Sequence, residues 1–152
     1  MAADIVNARG HPNVRARHPT TMEITKEDTL TPRGDCVIGV AADKAAADLS
    51  PELLSELAKG YSLAAAILVG GLIDVFFAEG SPGHIPTSST SIVIRRSSYL
   101  DERTLGIRAT KSARGLDRQI VNLLKKPETE MKIVFVTAPN RREALIALAA
   151  QL

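Results

Sequence analysis

The sequence predicts a mainly β fold with packed helices, a β-rich α+β chain built from two repeats. Three observations carry that expectation. Short apolar runs alternate with period two and stop at Gly or Pro, which is the pattern of half-buried strands. The runs recur in the same order after an offset of 70 positions: Asp4, Ala8, Gly10, Pro12, Thr20, Ile24 and Leu30 fall on Asp74, Ala78, Gly80, Pro82, Thr90, Ile94 and Leu100. After a three-residue gap near "TPRGD" the offset becomes 67, and Gly39, Ala42, Lys44, Leu49, Leu57 and Val69 meet Gly106, Ala109, Lys111, Leu116, Leu124 and Val136. The expected architecture is an internally duplicated β-sandwich or distorted barrel with pseudo-twofold symmetry and a C-terminal helix. It forms one domain over 1–152, with repeats at about 4–69 and 72–137.

Each repeat opens on a strand, Asp4 to Arg9 and Leu72 to Glu79, that ends at Gly-x-Pro, where proline can give no amide to a sheet. "TTMEIT" and "TSIVIR" alternate as second strands. "CVIGVAAD" and "RTLGIRAT" are third strands whose internal glycine points to a bulge or a close backbone approach. Helices follow at about 50–59 and 117–126, with Ser50 and Asp117 at the N-cap and Pro51 in the first turn. Leu53, Leu54 and Leu57, like Ile120, Val121 and Leu124, mark their core faces. A last strand closes each repeat, Ser62 to Val69 and Met131 to Thr137. Gly70-Gly71 then reads as a hairpin turn joining the repeats. Asn140 and Glu143 set a capping box for the helix at about 140–151, with Leu145, Leu148 and Leu152 as its apolar stripe.

Composition excludes some classes. Hydrophobic residues make up 45% of the chain, enough to rule against disorder. The longest apolar stretch, Tyr61 to Ala78, contains Asp74 and the Gly-Gly pair, so it reads as a hairpin and not a membrane span. One cysteine allows no internal disulfide and, with no signal-peptide pattern, points to the cytoplasm. Residues 1–89 carry seven Lys and Arg against eleven Asp and Glu, whereas 90–152 carry twelve against six. A basic second repeat of this kind suits an anionic partner.

Chemically rich residues gather in the first repeat. His11 matches Ser81, Arg15 matches Ile85, His18 matches Ser88 and Glu23 matches Val93, and "PRGD" falls at the gap. Two readings follow. An anionic ligand or nucleic acid would be held by Arg9, Arg15, Arg17 and Arg33 of the first repeat with Arg95, Arg96, Arg103, Arg108, Lys111 and Arg114 of the second, with Asn13 and Lys44 as further contacts, since arginine suits bidentate phosphate contact. Aromatic residues at 3% leave few platforms for base stacking. Alternatively a small enzyme would use His11, His18, Arg33, Asp35 and Cys36, with imidazole as general base or the thiol as nucleophile. The spacing of His11, His18 and Cys36 matches no zinc pattern, and no cofactor is implied. If a site exists, "GHPNVRARH" and "TPRGDC" should meet in space.

The stretch "RGHPNVRARHPTTMEITKEDTLTPRGDCVIGVAADKA" resembles the start of an uncharacterised archaeal family, domain of unknown function 371, and the likeness continues through "VGGL" and "TSIVIRRSSYLDERTLGIRATKSA". The resemblance implies an archaeal protein with a mainly β, sandwich-like fold and no established activity. The C-terminal helix departs from the family pattern. So does "PTSSTSIVI", which lacks the His and Asp expected there; that weighs against two symmetric sites.

Overall fold

Alternation of period two turns one face of each run toward a core. The computed structural model covers residues 1–152 and builds eight strands from these runs. β1 (Ala2–Arg9), β2 (Thr21–Thr25) and β3 (Val37–Gly39) lead into a 3₁₀ turn (Ala46–Asp48), α1 (Pro51–Leu57) and β4 (Ser62–Val69). The second half runs in the same element order: β5 (Leu72–Glu79), β6 (Ser91–Arg95), β7 (Thr104–Gly106), a 3₁₀ turn (Ala113–Gly115), α2 (Arg118–Leu123) and β8 (Glu130–Ala138). α3 (Arg141–Gln151) follows. The protein is α+β and mainly β.

One sheet has the order β1-β8-β4-β5 and is antiparallel throughout. The other has the order β3-β2-β6-β7, with β2 and β6 antiparallel at its centre and the short β3 and β7 parallel on its edges. A single core draws on both sheets and on both short helices, among them Met22, Ile24, Ile92 and Ile94, Leu63, Ile133 and Phe135, and Leu53, Leu57, Ile120 and Leu124. Ser50 and Asp117 cap α1 and α2 by accepting the amides of Leu53 and Gln119. Between β4 and β5, Gly70 (φ +56°) and Gly71 (φ +81°) form the left-handed pair that a two-residue hairpin turn requires.

The third strands are shorter than the sequence suggests, because each segment passes from one sheet to the other. Beyond Gly39 the chain bridges across, Val40 to Arg9, and beyond Gly106 it does the same, Ile107 to Glu79. Ala41 and Arg108, both at φ near +50°, then turn it away. Space is tight at the crossing: a Cβ at Gly106 would stand 2.9 Å from the Ala78 methyl, which has no rotamer to yield, and one at Gly39 would displace the Met131 methyl. The turns after β1 and β5 pack on helices of the opposite half. A Cβ on Gly10 would lie 2.3 Å from the carbonyl of Lys126, just beyond α2, and one on Gly80 2.2 Å from that of Leu57 in α1.

α3 lies over β8 and β4 and seals a second cluster of Ala64, Ala66, Val134, Val136 and Ala138. Its buried face keeps only one leucine of the expected stripe. Ala144 and Leu148 are buried, whereas Leu145 and Leu152 are half exposed. The sheet surface beneath is largely alanine and valine, and a small residue at 144 lets the helix sit close on it.

Candidate anion-binding site

The two polar segments of the first half do meet, through their main chains. The amides of Arg17 and His18 both donate to the Asp35 carbonyl, at 3.0 and 3.2 Å. The Asn13 side-chain amide donates to the Leu30 carbonyl at 2.6 Å, and Arg15 reaches the Pro32 carbonyl at 3.3 Å. The Asp35 and Arg33 side chains make no hydrogen bond or ion pair, so the contact does not link His to Asp or Arg side chains.

Both imidazoles serve the turns that hold them. His11 Nδ1 accepts the Asn13 amide at 3.0 Å. His18 Nδ1 accepts the amides of Thr20 and Thr21 at 3.2 and 3.1 Å. These bonds leave the ring proton on Nε2 and occupy the lone pair that a general base would need. At the matched place in the second half, the Ser88 hydroxyl accepts the amides of Thr90 and Ser91 at 3.2 and 3.1 Å. An imidazole and a hydroxyl thus answer the same backbone requirement.

Cys36 is half-buried, with its sulfur 3.5 Å from Glu23 Oε1. Burial, then the adjacent carboxylate, pushes the thiol up to about 11, which disfavours the thiolate that a nucleophile needs. No group of three or more His, Cys, Asp and Glu side chains is arranged to hold a metal ion.

Several of the cations expected to meet a ligand are already paired. Lys44 Nζ lies 2.5 Å from Asp4 Oδ1, whose other oxygen accepts the Ser50 amide at 2.8 Å. In the second half Lys111 bonds Asp74, whose other oxygen accepts the Asp117 amide. Each lysine therefore ties the first strand of its half to the residue that caps, or immediately precedes, the helix. Arg103 is bound by Asp101 at 2.8 Å and Arg108 by Glu79 at 2.9 Å.

Arg15, Arg17 and Arg114 form no ion pair, and neither does Arg118, a residue the sequence did not single out. Three of these four come together. The Arg114 amide donates to the His18 carbonyl at 3.1 Å. The Arg118 guanidinium donates to the carbonyls of Ala16, Ala113 and Leu116 at 3.0, 2.8 and 3.0 Å. Ala16 is a left-handed residue (φ +50°), so Arg118 braces an unusual backbone turn from across the two halves. Burial first, then the charge of Arg17, hold the Arg118 guanidinium below its usual value. Arg17 and Arg114 are exposed on either side. In the second half the same amide-to-carbonyl bond joins Ala47 to Ser88 at 3.0 Å, and the matched positions are Thr87, Ala47 and Pro51. Three arginines thus stand at positions whose counterparts in the other half carry none. Nothing in the local sequence around Arg118 marks it, because its partner turn is about a hundred positions away.

A family model described as "Domain of unknown function (DUF371)" matches residues 6–138. An uncharacterised protein of Methanocaldococcus jannaschii, MJ0206, is 46% identical over 122 residues, which is 80% of this chain and 90% of that protein. α3 lies beyond the residues matched by the family model.

Proposed function

The chain belongs to the DUF371 family, which has an archaeal member in M. jannaschii, and on the geometry above we propose that it binds a phosphate-bearing ligand at Arg17, Arg114 and Arg118. One observation carries this reading. Arg17 and Arg118 are held near enough to repel, neither in an ion pair and with only the more distant pull of Asp117 on Arg118, and the backbone of Arg114 joins them at a place where the matched backbone of the other half does without arginine. Holding guanidinium groups together unpaired raises the energy of the free protein, and an anion lowers it again. Arg118 commits three of its five donors to carbonyls and contributes chiefly charge and position, whereas the Arg17 and Arg114 guanidinium groups make no hydrogen bond within the chain.

The ligand is read through its phosphates. Phe76 and Phe135 are buried, and Phe77, Tyr99 and Tyr61 each have a cation of their own, Arg141, Arg95 and Lys59, over the ring. The reading also takes residues 1–152 as one cytoplasmic domain, a sandwich of two repeats (4–69 and 72–137) whose duplicated site was kept on one side only.

The test is titration with inorganic pyrophosphate and with a short RNA duplex across a range of salt. Arg17→Ala and Arg114→Ala should each weaken binding about tenfold without changing thermal stability. A duplex ligand would also lose about one unit of salt slope per arginine, whereas a small phosphate ligand would show a shallow slope throughout. Undiminished binding by the Arg17→Ala, Arg114→Ala double variant overturns the proposal.

A further inference from the structure

The outer surface of the β3-β2-β6-β7 sheet carries polar side chains that loops largely cover, and its two ends are built differently. At the second-half end Arg95, the last residue of β6, folds over the start of β7. Its Nε donates to Thr104 Oγ1 at 3.0 Å and its Nη2 to Asp101 Oδ2 at 2.9 Å. The Tyr99 ring stacks on it at 4.8 Å, and only 11% of the Arg95 side chain is exposed. A guanidinium thus fills this end.

At the first-half end the same backbone frame surrounds an open cavity. Thr25, the last residue of β2, accepts the Ala42 amide through its carbonyl at 3.0 Å, just as Arg95 accepts that of Ala109 at 2.9 Å. Val37 starts β3 opposite Glu23, as Thr104 starts β7 opposite Val93. Here threonine stands where arginine fills the other end, and Thr29 and Gly34 occupy the places matched to Tyr99 and Asp101. The result is a cavity of about 260 Å³ whose lining includes Glu23, Glu27, Thr25, Thr29, Thr31 and Ser91.

Its polar character is acidic. Glu23 Oε2 accepts the Ser91 hydroxyl at 2.9 Å, and Oε1 faces Arg103 Nη1 at 3.8 Å, too far for a hydrogen bond. Arg103 is committed to Asp101 through both Nε and Nη2. The charged residues that line the cavity are Glu23 and Glu27, with no lysine or arginine among its walls, and Arg95 and Arg103 are both bound by Asp101.

We propose that this cavity binds the guanidinium group of a ligand from outside the chain, in the place that Arg95 occupies at the opposite end of the sheet. The second half shows that the frame accepts such a group. The first half removes the internal one and supplies carboxylate and hydroxyl acceptors in its place. The site is distinct from the arginines around His18, and the proposal does not rest on anion binding there.

Amide chemical shifts and calorimetry of the full chain, with agmatine, an acetylated arginine tripeptide and putrescine as probes, test it. Saturable agmatine binding is expected, with shifts centred on Glu23, Thr25 and Ser91. Glu27→Gln, on an exposed residue, should weaken it several-fold, and Glu23→Gln by about tenfold or more. Thr25→Arg should abolish it by supplying the guanidinium from within. Tighter binding of the tripeptide than of agmatine assigns the group to a peptide side chain, and the reverse order assigns it to a small molecule. Putrescine binding as tightly as agmatine overturns the guanidinium assignment. Absence of saturable binding, or binding that survives in all three variants, overturns the site.

Discussion

The first and second halves of this protein make many of the same backbone hydrogen bonds with different side chains around them. At His18 and Ser88 the chemistry looks different and the work is the same, since each accepts two amides at the start of a strand. At Lys44 and Lys111 both chemistry and work agree. At Arg17 and Thr87, Arg114 and Ala47, Arg118 and Pro51, and at Thr25 and Arg95, the backbone agrees and the side chains diverge in charge. A reactive residue type is therefore a weak pointer to function when its neighbour half can replace it with a plain hydroxyl. An unpaired charge that the matched backbone does not need is a stronger one.

Experiments can break this comparison where it is closest. The largest effect is expected at the lysines. Lys111→Met strands the Asp74 carboxylate, only 7% exposed, and should cost about 3 kcal/mol in urea unfolding. Lys44→Met strands Asp4, which is 13% exposed and reaches water more easily, and should cost about 1–2 kcal/mol. Equal losses would show that the two ties do not differ in burial as described.

Acid titration gives the next effect. Burial raises the Asp4 carboxyl, but the Lys44 ammonium and the amides of Ser50 and Ile5 outweigh it and hold the group below its ordinary 3.8. Burial is likewise outweighed at Asp101, by Arg103, the Thr104 hydroxyl and Arg95, which hold it well below that value. A carboxyl that is more acidic folded than unfolded adds stability that is complete above pH 3.8 and is lost as the pH falls through the folded value. Thermal midpoints should therefore drop steeply below about pH 4, and Asp101→Asn should be less stable at neutral pH yet show a flatter acid limb.

The smallest effect is the most informative about the polar segment. His18→Ser should change stability by no more than about 0.5 kcal/mol, because Ser88 already shows that a hydroxyl suffices, whereas His18→Ala should cost about 1 kcal/mol for the lost acceptor. A His18→Ser variant of unchanged stability that loses ligand binding would instead give the imidazole a chemical role.

Much of the fold was legible in the sequence, because strand alternation, N-caps and glycine turns are local signals. Ser50, Asp117 and Gly70-Gly71 act as read. The shortened third strands were not legible. Their residues read on as apolar runs past the glycine, and only the crossing between sheets, with Ala41 and Arg108 left-handed, ends the pairing. The α3 face was misjudged because leucines were weighed above alanine, whereas the surface beneath favours the small residue. The site was legible only in part. Arg17 and Arg114 stood out as charges, but which cations lack partners depends on contacts 29 to 40 residues apart at Lys44, Arg108 and Lys111. The role of Arg118 depends on a contact 102 residues away.

The sheet order β1-β8-β4-β5 also sets the sequence of events during synthesis. β4 and β5 are joined by a two-residue turn and can pair as soon as both have emerged from the ribosome. β1 has no sheet neighbour except β8, whose residues Glu130–Ala138 lie far along the chain from it. The hydrogen-bonding edge of β1 must therefore wait, unpaired, while all the elements between it and β8 are translated, at about 5–20 residues per second. Closure of the sheet is a late, long-range event of the kind that slows folding, and the open edge of β1 is the segment most in need of protection until it occurs.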